Sequence, residues 1–358
     1  RGILTDLTLW RDPIRAEEAA VLTRRILEQD VEGMPPRDGP GSILLMDDPD
    51  HARIRTPLAQ ALYKRVARCR PQVEEVVAQV LDRLEGRAGF DLMEEISLPV
   101  PIDVIARILG VDTTRLGEFR DWSEGIIQSL NPLRTAEQTA HMVRAADALG
   151  AFMIGMMEAR RAKPEDDLVT DMVQLQAAGA DLSDADLASN LIALLVAGNL
   201  TTTDLIGNGA RLFLLNPDER AKLAADPALI GAAVEEVLRY EPPVDITGRI
   251  ASREMEVHGC PVHTTQSMFL SLRGANRDPE VFESPDRFDI TRKKSPHVAF
   301  GGGAHICIGA PLARLEGQVA LLRLFERFPN LRLADPEAKP EWRTLPFFRG
   351  LQRLDVLT

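Results

Sequence analysis

The sequence predicts a mainly α-helical fold carrying small β-sheets. Three observations support this. Apolar residues recur at spacings of three and four along most of the chain. Stretches of alternating polarity appear only after Pro242-Pro243. The 358 residues, 45% hydrophobic and 27% charged, suffice to bury a large core. No repeat or change of composition marks a linker, so one domain spanning 1–358 is expected.

In order, the periodicity predicts helices from Pro71 to Leu84, Pro101 to Leu109, Glu137 to Arg161 and Leu187 to Leu215. Asn216-Pro217 and Asp226-Pro227 each place a capping residue before a proline suited to the first helical position, so each opens a further helix. Strands are predicted from Arg249 to Ser252, Met255 to Val257 and Ser267 to Leu272, bounded by Gly and Pro. A connection from Gly274 to Gly303 precedes a last helix from Ala310 to Phe328. Irregular segments of that length inside a compact domain usually carry function.

Charge and cysteine content exclude several classes. A net charge of -12 repels polyanions, so nucleic acid is not an expected partner. Cys69, Cys260 and Cys307 are odd in number and lack C-x-x-C spacing, which argues against a disulfide framework or zinc knuckle and fits a reducing cytoplasm. Apolar runs such as Leu191 to Gly198 fall short of the roughly 20 residues that span a bilayer, so no membrane anchor is expected.

The long connection ends in Phe300-Gly301-Gly302-Gly303-Ala304-His305-Ile306-Cys307-Ile308-Gly309, and a helix follows. Glycines allow tight turns that aim several N–H groups at one sulfur, and the helix N-terminus adds positive potential. Both favour a thiolate, the form that binds a metal or attacks an electrophile. No adjacent base supports the second role.

The run Phe-Gly-x-Gly-x-His-x-Cys-x-Gly at Phe300, Gly301, Gly303, His305, Cys307 and Gly309 resembles the haem-binding signature of the cytochrome P450 family. The resemblance implies that fold, with haem b (iron protoporphyrin IX) between distal and proximal helices. It implies Cys307 as the axial iron ligand, Phe300 packed beneath the macrocycle and His305 on a propionate, with Ala313 on the following helix also against the cofactor. Further motifs agree in order. Glu236-x-x-Arg239 and Pro285-Asp286-Arg287-Phe288 resemble the family's buried charge cluster, with Arg287 as its third member. His51 and Arg55, four apart on a helix start, and Arg249 in the first strand after Pro242-Pro243, match propionate-binding positions. The family's opening helix and first strands, which precede the segment holding Leu4, are absent from this sequence.

Within Leu187 to Leu215, the stretch Ala197-Gly198-Asn199-Leu200-Thr201 resembles the family's oxygen-binding groove. Ala197 and Gly198 would leave space above the iron, and Thr201 would help deliver protons. Leu200 stands where the family usually has Asp or Glu. Asn199 with ordered water is therefore expected to carry protons, alongside two other readings: direct use of peroxide, or a haem protein without turnover. The resemblance further implies a monooxygenase oxidising a small, mainly hydrophobic molecule with O2, supplied with electrons by a ferredoxin and ferredoxin reductase, and acting as a monomer. Its pocket is expected to take in Ala193, Ala197, Val244 to Thr247 (Ile246 included), the loop from Pro35 to Leu45, Phe347 and Phe348, with a lid over Gly125 to Ala140. Lys64, Arg65, Arg68 and Arg70 form a basic run matching a docking patch for an acidic ferredoxin.

Overall fold

A computed structural model describes residues 1–12, 15, 41–131, 133–293 and 295–358. Ten helices organise it: α1 (Asp50–Val66), α2 (Arg70–Asp82), α3 (Pro99–Leu109), α4 (Leu116–Ile127), α5 (Ala136–Ala162), α6 (Leu168–Ala177), α7 (Asp184–Leu215), α8 (Pro217–Ala225), α9 (Ile230–Tyr240) and α10 (Ala310–Arg327). Further short helical turns link them.

The central element is α7, packed against α3, α5, α9 and α10. Its start lies three residues before the first apolar repeat. Ser183 caps it, accepting from the Asp186 N–H while Asp186 reaches back to Ser183, so polar residues form the first turn. Leu191, Leu195, Ile206 and Phe213 are fully buried, each contributing about 2 kcal/mol. Alone among the described residues, this helix is long and apolar enough to cross a membrane, and it is instead mostly enclosed by the fold.

The strands are short and antiparallel. β2 (Ile246–Ile250) pairs with β5 (Ser267–Ser271), aligning Thr247 with Leu270. β3 (Met255–Val257) pairs with β4 (Cys260–Val262), which the strand pattern did not predict. His258 and Gly259 both have positive φ in the two-residue turn between them, the conformation that closes such hairpins. β1 (Gly89–Asp91), β6 (Arg332–Leu333) and β7 (Asp355–Leu357) form a sheet in the order β1-β7-β6. With two or three residues apiece, they are too brief to show an alternating pattern. The predicted strand ending at Leu272 stops at Ser271, whose hydroxyl accepts from the Gly274 N–H at 2.9 Å and starts a helical turn. The described residues of 276–302 run as turns and coil, followed by a 3-10 turn at Gly303–His305 before α10.

Candidate haem site

The cysteine loop is a tight reversal. The Cys307 N–H donates to Phe300 O at 2.9 Å, Gly301 N–H to Val298 O at 2.8 Å and Ile306 N–H to Gly303 O at 3.1 Å. Gly301 and Gly303 have φ of +71° and +69°, conformations that side-chain-bearing residues rarely adopt. Gly309 precedes α10, and Ala313 donates its N–H to Gly309 O at 2.9 Å in the first turn. The Arg314 guanidinium lies 4.5 Å from the Phe300 ring centroid and pairs with Glu235. Burial alone would push the Glu235 carboxyl up, but hydrogen bonds and charge from His297 and Arg314 hold it down at about 2.

The loop was expected to favour thiolate unaided. Burial proves stronger: it pushes the Cys307 thiol above its ordinary value, against hydrogen bonds from the Gly309 and Ala310 amides and the charges of Arg55 and Arg314. Yet the residue remains accessible. Deprotonating such a thiol calls for a cation close to the sulfur.

Around the cysteine loop, basic groups gather. His51 and His305 have ring centroids 4.2 Å apart. Arg55 donates to Ile306 O, and Arg249 to Leu4 O at 3.2 Å. Arg11, which the sequence motifs did not single out, donates to the Thr247 hydroxyl at 2.6 Å and Gly248 O at 3.2 Å. Desolvation followed by repulsion from Arg11, His51, Arg249 and Arg55 lowers His305 to about 3. Desolvation and Arg249 lower Arg11 to about 10, with Asp47 opposing. The acid reaching His51 is Asp48, at 3.3 Å, and its buried Nε2 has no partner. A cavity of about 120 Å³ is lined by His51, Arg249 and His305 on one hand and by Asp6, Asp47 and Asp48 on the other. Five crowded cationic or protonatable groups, an orphaned nitrogen and a desolvated sulfur fit a dianionic metalloporphyrin: sulfur to metal, cations to carboxylates.

On α7, Ala193, Ala197 and Thr201 are partly accessible while most of the surrounding helix is buried. Spaced four apart, they form one stripe. The Thr201 hydroxyl donates to Ala197 O at 2.8 Å. Gly198 turns toward α3, where a Cβ would lie 3.5 Å from the Ile105 side chain. Asn199 corrects an expectation. At about 100° per residue it points about 160° away from Thr201, and it is buried, so it is not brought to the accessible stripe.

The Glu236–Arg239 pair is fully buried, with bonds of 2.8 and 2.7 Å. Its third side chain is not Arg287, as the motif implied, but Arg292, whose Nε is 3.2 Å from Glu236. Arg287 is exposed and supplies only its backbone carbonyl, accepting from Arg239 at 3.0 Å. A contiguous motif could not distinguish two arginines five residues apart on one irregular segment.

Among the expected pocket residues, Val244 is joined to Phe348 by a backbone bridge, Ile246 opens β2, and the Thr247 hydroxyl is engaged by Arg11. The Phe347 ring instead stacks on exposed Phe269, 6.0 Å between centroids. From the loop 35–45, residues 35–40 lie outside those described; Ile43 N–H donates to Asn190 of α7 at 2.9 Å. The basic run is largely neutralised within the chain: Arg65 is buried against Asp171 at 2.5 Å and Asp166 at 3.2 Å, Arg68 shares Asp166, and Arg70 pairs with Glu74. It does not present the free patch expected of it.

The sequence model of the family described as Cytochrome P450 matches residues 17–345. The chain is 40% identical over 342 residues to "Cytochrome P450 107B1" of Saccharopolyspora erythraea, covering 93% of this chain and 82% of that protein. It is 39% identical over 312 residues to "6-deoxyerythronolide B hydroxylase" of the same organism, covering 87% and 76%. Among solved structures, P450BioI with hexadec-9Z-enoic acid ligated acyl carrier protein aligns with TM-score 0.87 and 32% identity over 100% of this chain and 89% of that one. The myxobacterial CYP267B1 with myristic acid aligns with TM-score 0.89 and 33% identity over 99% and 87%.

Proposed function

The chain belongs to the cytochrome P450 family, haem-iron monooxygenases that oxidise small organic molecules with O2 and electrons from redox partners; within that frame, we propose that Cys307 is the axial thiolate and that Arg11, His51, Arg55, Arg249 and His305 hold the propionates. The observation that carries this reading is the accessible sulfur beside Arg11, Arg55 and Arg249, whose side chains form no ion pair among the described residues and bond instead to carbonyls and the Thr247 hydroxyl. When bound, haem supplies the reductive activation of O2. Phe300 and the glycine reversal shield the sulfur, the stripe Ala193, Ala197, Thr201 leaves room on the opposite side, and the Thr201 hydroxyl holds a proton there. The apolar character of Ala193, Ala197, Val244 and Ile246 supports a hydrophobic substrate. Structural neighbours with fatty-acyl ligands agree with that.

The electron donor in this reading is a ferredoxin served by its reductase. It docks where Ile306, next to the sulfur, is 48% exposed. In this reading the enzyme acts as a monomer of one domain in the cytoplasm, a reducing compartment that suits its three unpaired cysteines.

Reduced, CO-bound protein is expected to show the strongly red-shifted main absorption band that thiolate ligation produces, and Cys307→Ser should abolish that shift. A spectrum unaltered by the substitution rejects the assignment of the ligand.

A further inference from the structure

On α7, Thr201, Asp204, Asn208 and Arg211 follow one another at intervals of three and four, continuing the face begun by Ala193 and Ala197. At about 100° per residue, Asp204 lies about 20° from the line of Ala197 and about 60° from Thr201. The face thus turns from small and accessible to polar and buried within one turn beyond Thr201. Asp204 is wholly buried. One carboxylate oxygen accepts from Arg343, and the other has no partner.

Nor is that oxygen alone. Asn208 donates to Glu241 O at 3.3 Å and Arg349 O at 2.9 Å, while its own Oδ1 is unpartnered. The Nε of Arg343 is unpartnered too. Buried polar atoms without protein partners are ordinarily satisfied by ordered water. Water on these atoms would form a file from Thr201 toward the partly exposed Arg211 and Arg343.

We propose that Asp204 is the proton reservoir of this enzyme's oxygen side, receiving protons from solvent through water seated on Asn208 and Arg343 and passing them to Thr201. Reduction of O2 to one product oxygen and one water consumes protons along with the partner's electrons. In each transfer the Asp204 carboxyl gives its proton through water to the Thr201 hydroxyl chain, becomes a carboxylate facing Arg343, and is reprotonated from solvent. Burial raises this carboxyl to about 6 despite the opposing charge of Arg343, so it holds a proton below that pH and releases it as pH rises. Arg343 is the charge bearing on it. Arg349 and Glu241 lie beyond, and Arg211 follows on the same helix. Leu200 has no exchangeable proton, and Asn199 points elsewhere.

The inference rests on the reading of Thr201 as facing the oxygen side, but its test has a part that does not. Infrared titration of the haem-loaded enzyme should show a buried carboxyl protonating near pH 6, lost in Asp204→Asn and retained in Asp245→Asn. During turnover, Asp204→Asn should divert about tenfold more electrons into free peroxide and flatten the pH dependence of that loss, and adding Leu200→Glu should restore coupling. If Asp204→Asn fails to fold, Arg343→Gln serves: removing the cation should move both the carboxyl titration and the onset of peroxide loss to higher pH. The signal of Glu316, wholly buried on α10 and raised well above its ordinary value, should persist in Asp204→Asn, whereas a carboxyl titration near pH 6 that survives in that variant overturns the proposal. So does unchanged coupling in a thermally weakened variant, the mark of a purely structural ion pair, or the absence of any shift in Arg343→Gln.

Discussion

At Gly303 two constraints coincide. Its φ is +69°, and a Cβ there would lie 2.6 Å from Leu4 O, a backbone atom that cannot swing aside. Gly303→Ala is therefore expected to destabilise the protein by about 2 kcal/mol and to weaken haem retention. Gly309→Ala should be far milder, because φ is -82° and the nearest atom to a Cβ is the Cys307 sulfur at 3.9 Å. Thermal unfolding and haem loss of both variants decide this, and equal effects would contradict it. At this scale the sequence was most legible where chemistry is contiguous. Cys307, its glycines and His305 stand together within ten residues. Arg11 and Asp204 were not legible, since what gives each its environment lies more than 100 residues away, at Thr247 and Arg343.

Helical periodicity located α2, α3, α5 and α7 with errors at their ends, while α4 and α6 were not predicted. A polar cap such as Ser183 starts its helix ahead of the apolar repeat, where a hydrophobic pattern is silent. The same limit misled the reading of α1. A run of cations looks like a free surface in one dimension, but Arg65 meets Asp171 across 106 residues and is buried by that contact. Reversing it should consequently act on stability. Arg65→Glu is expected to lower unfolding free energy by about 3 kcal/mol, placing an acid against two acids. A variant of undiminished stability that nonetheless accepts electrons slowly would return Arg65 to the docking surface.

For the whole molecule, the cationic cluster sets the energetics. Arg11 and Arg249 repel one another, and with burial and Arg55 they keep His305 uncharged until anions arrive, so the protein without haem carries internal strain that the cofactor's carboxylates relieve. Arg249→Leu is expected to raise the melting temperature of the haem-free protein while speeding haem loss from the loaded one. Both quantities moving in the same direction would count against the cluster as a propionate site. Binding that relieves strain in the folded state also adds stability through mass action.

The contacts that build this cluster are distant along the chain: Arg249 reaches Leu4 across 245 residues, and Arg55 reaches Ile306 across 251. During synthesis, the first cations emerge from the ribosome long before the sulfur does. Pigment capture must therefore follow synthesis of the cysteine loop rather than of the first cations. Cells starved of iron or porphyrin would accumulate full-length, colourless chains rather than truncated ones, and their abundance would track proteolytic clearance rather than translation.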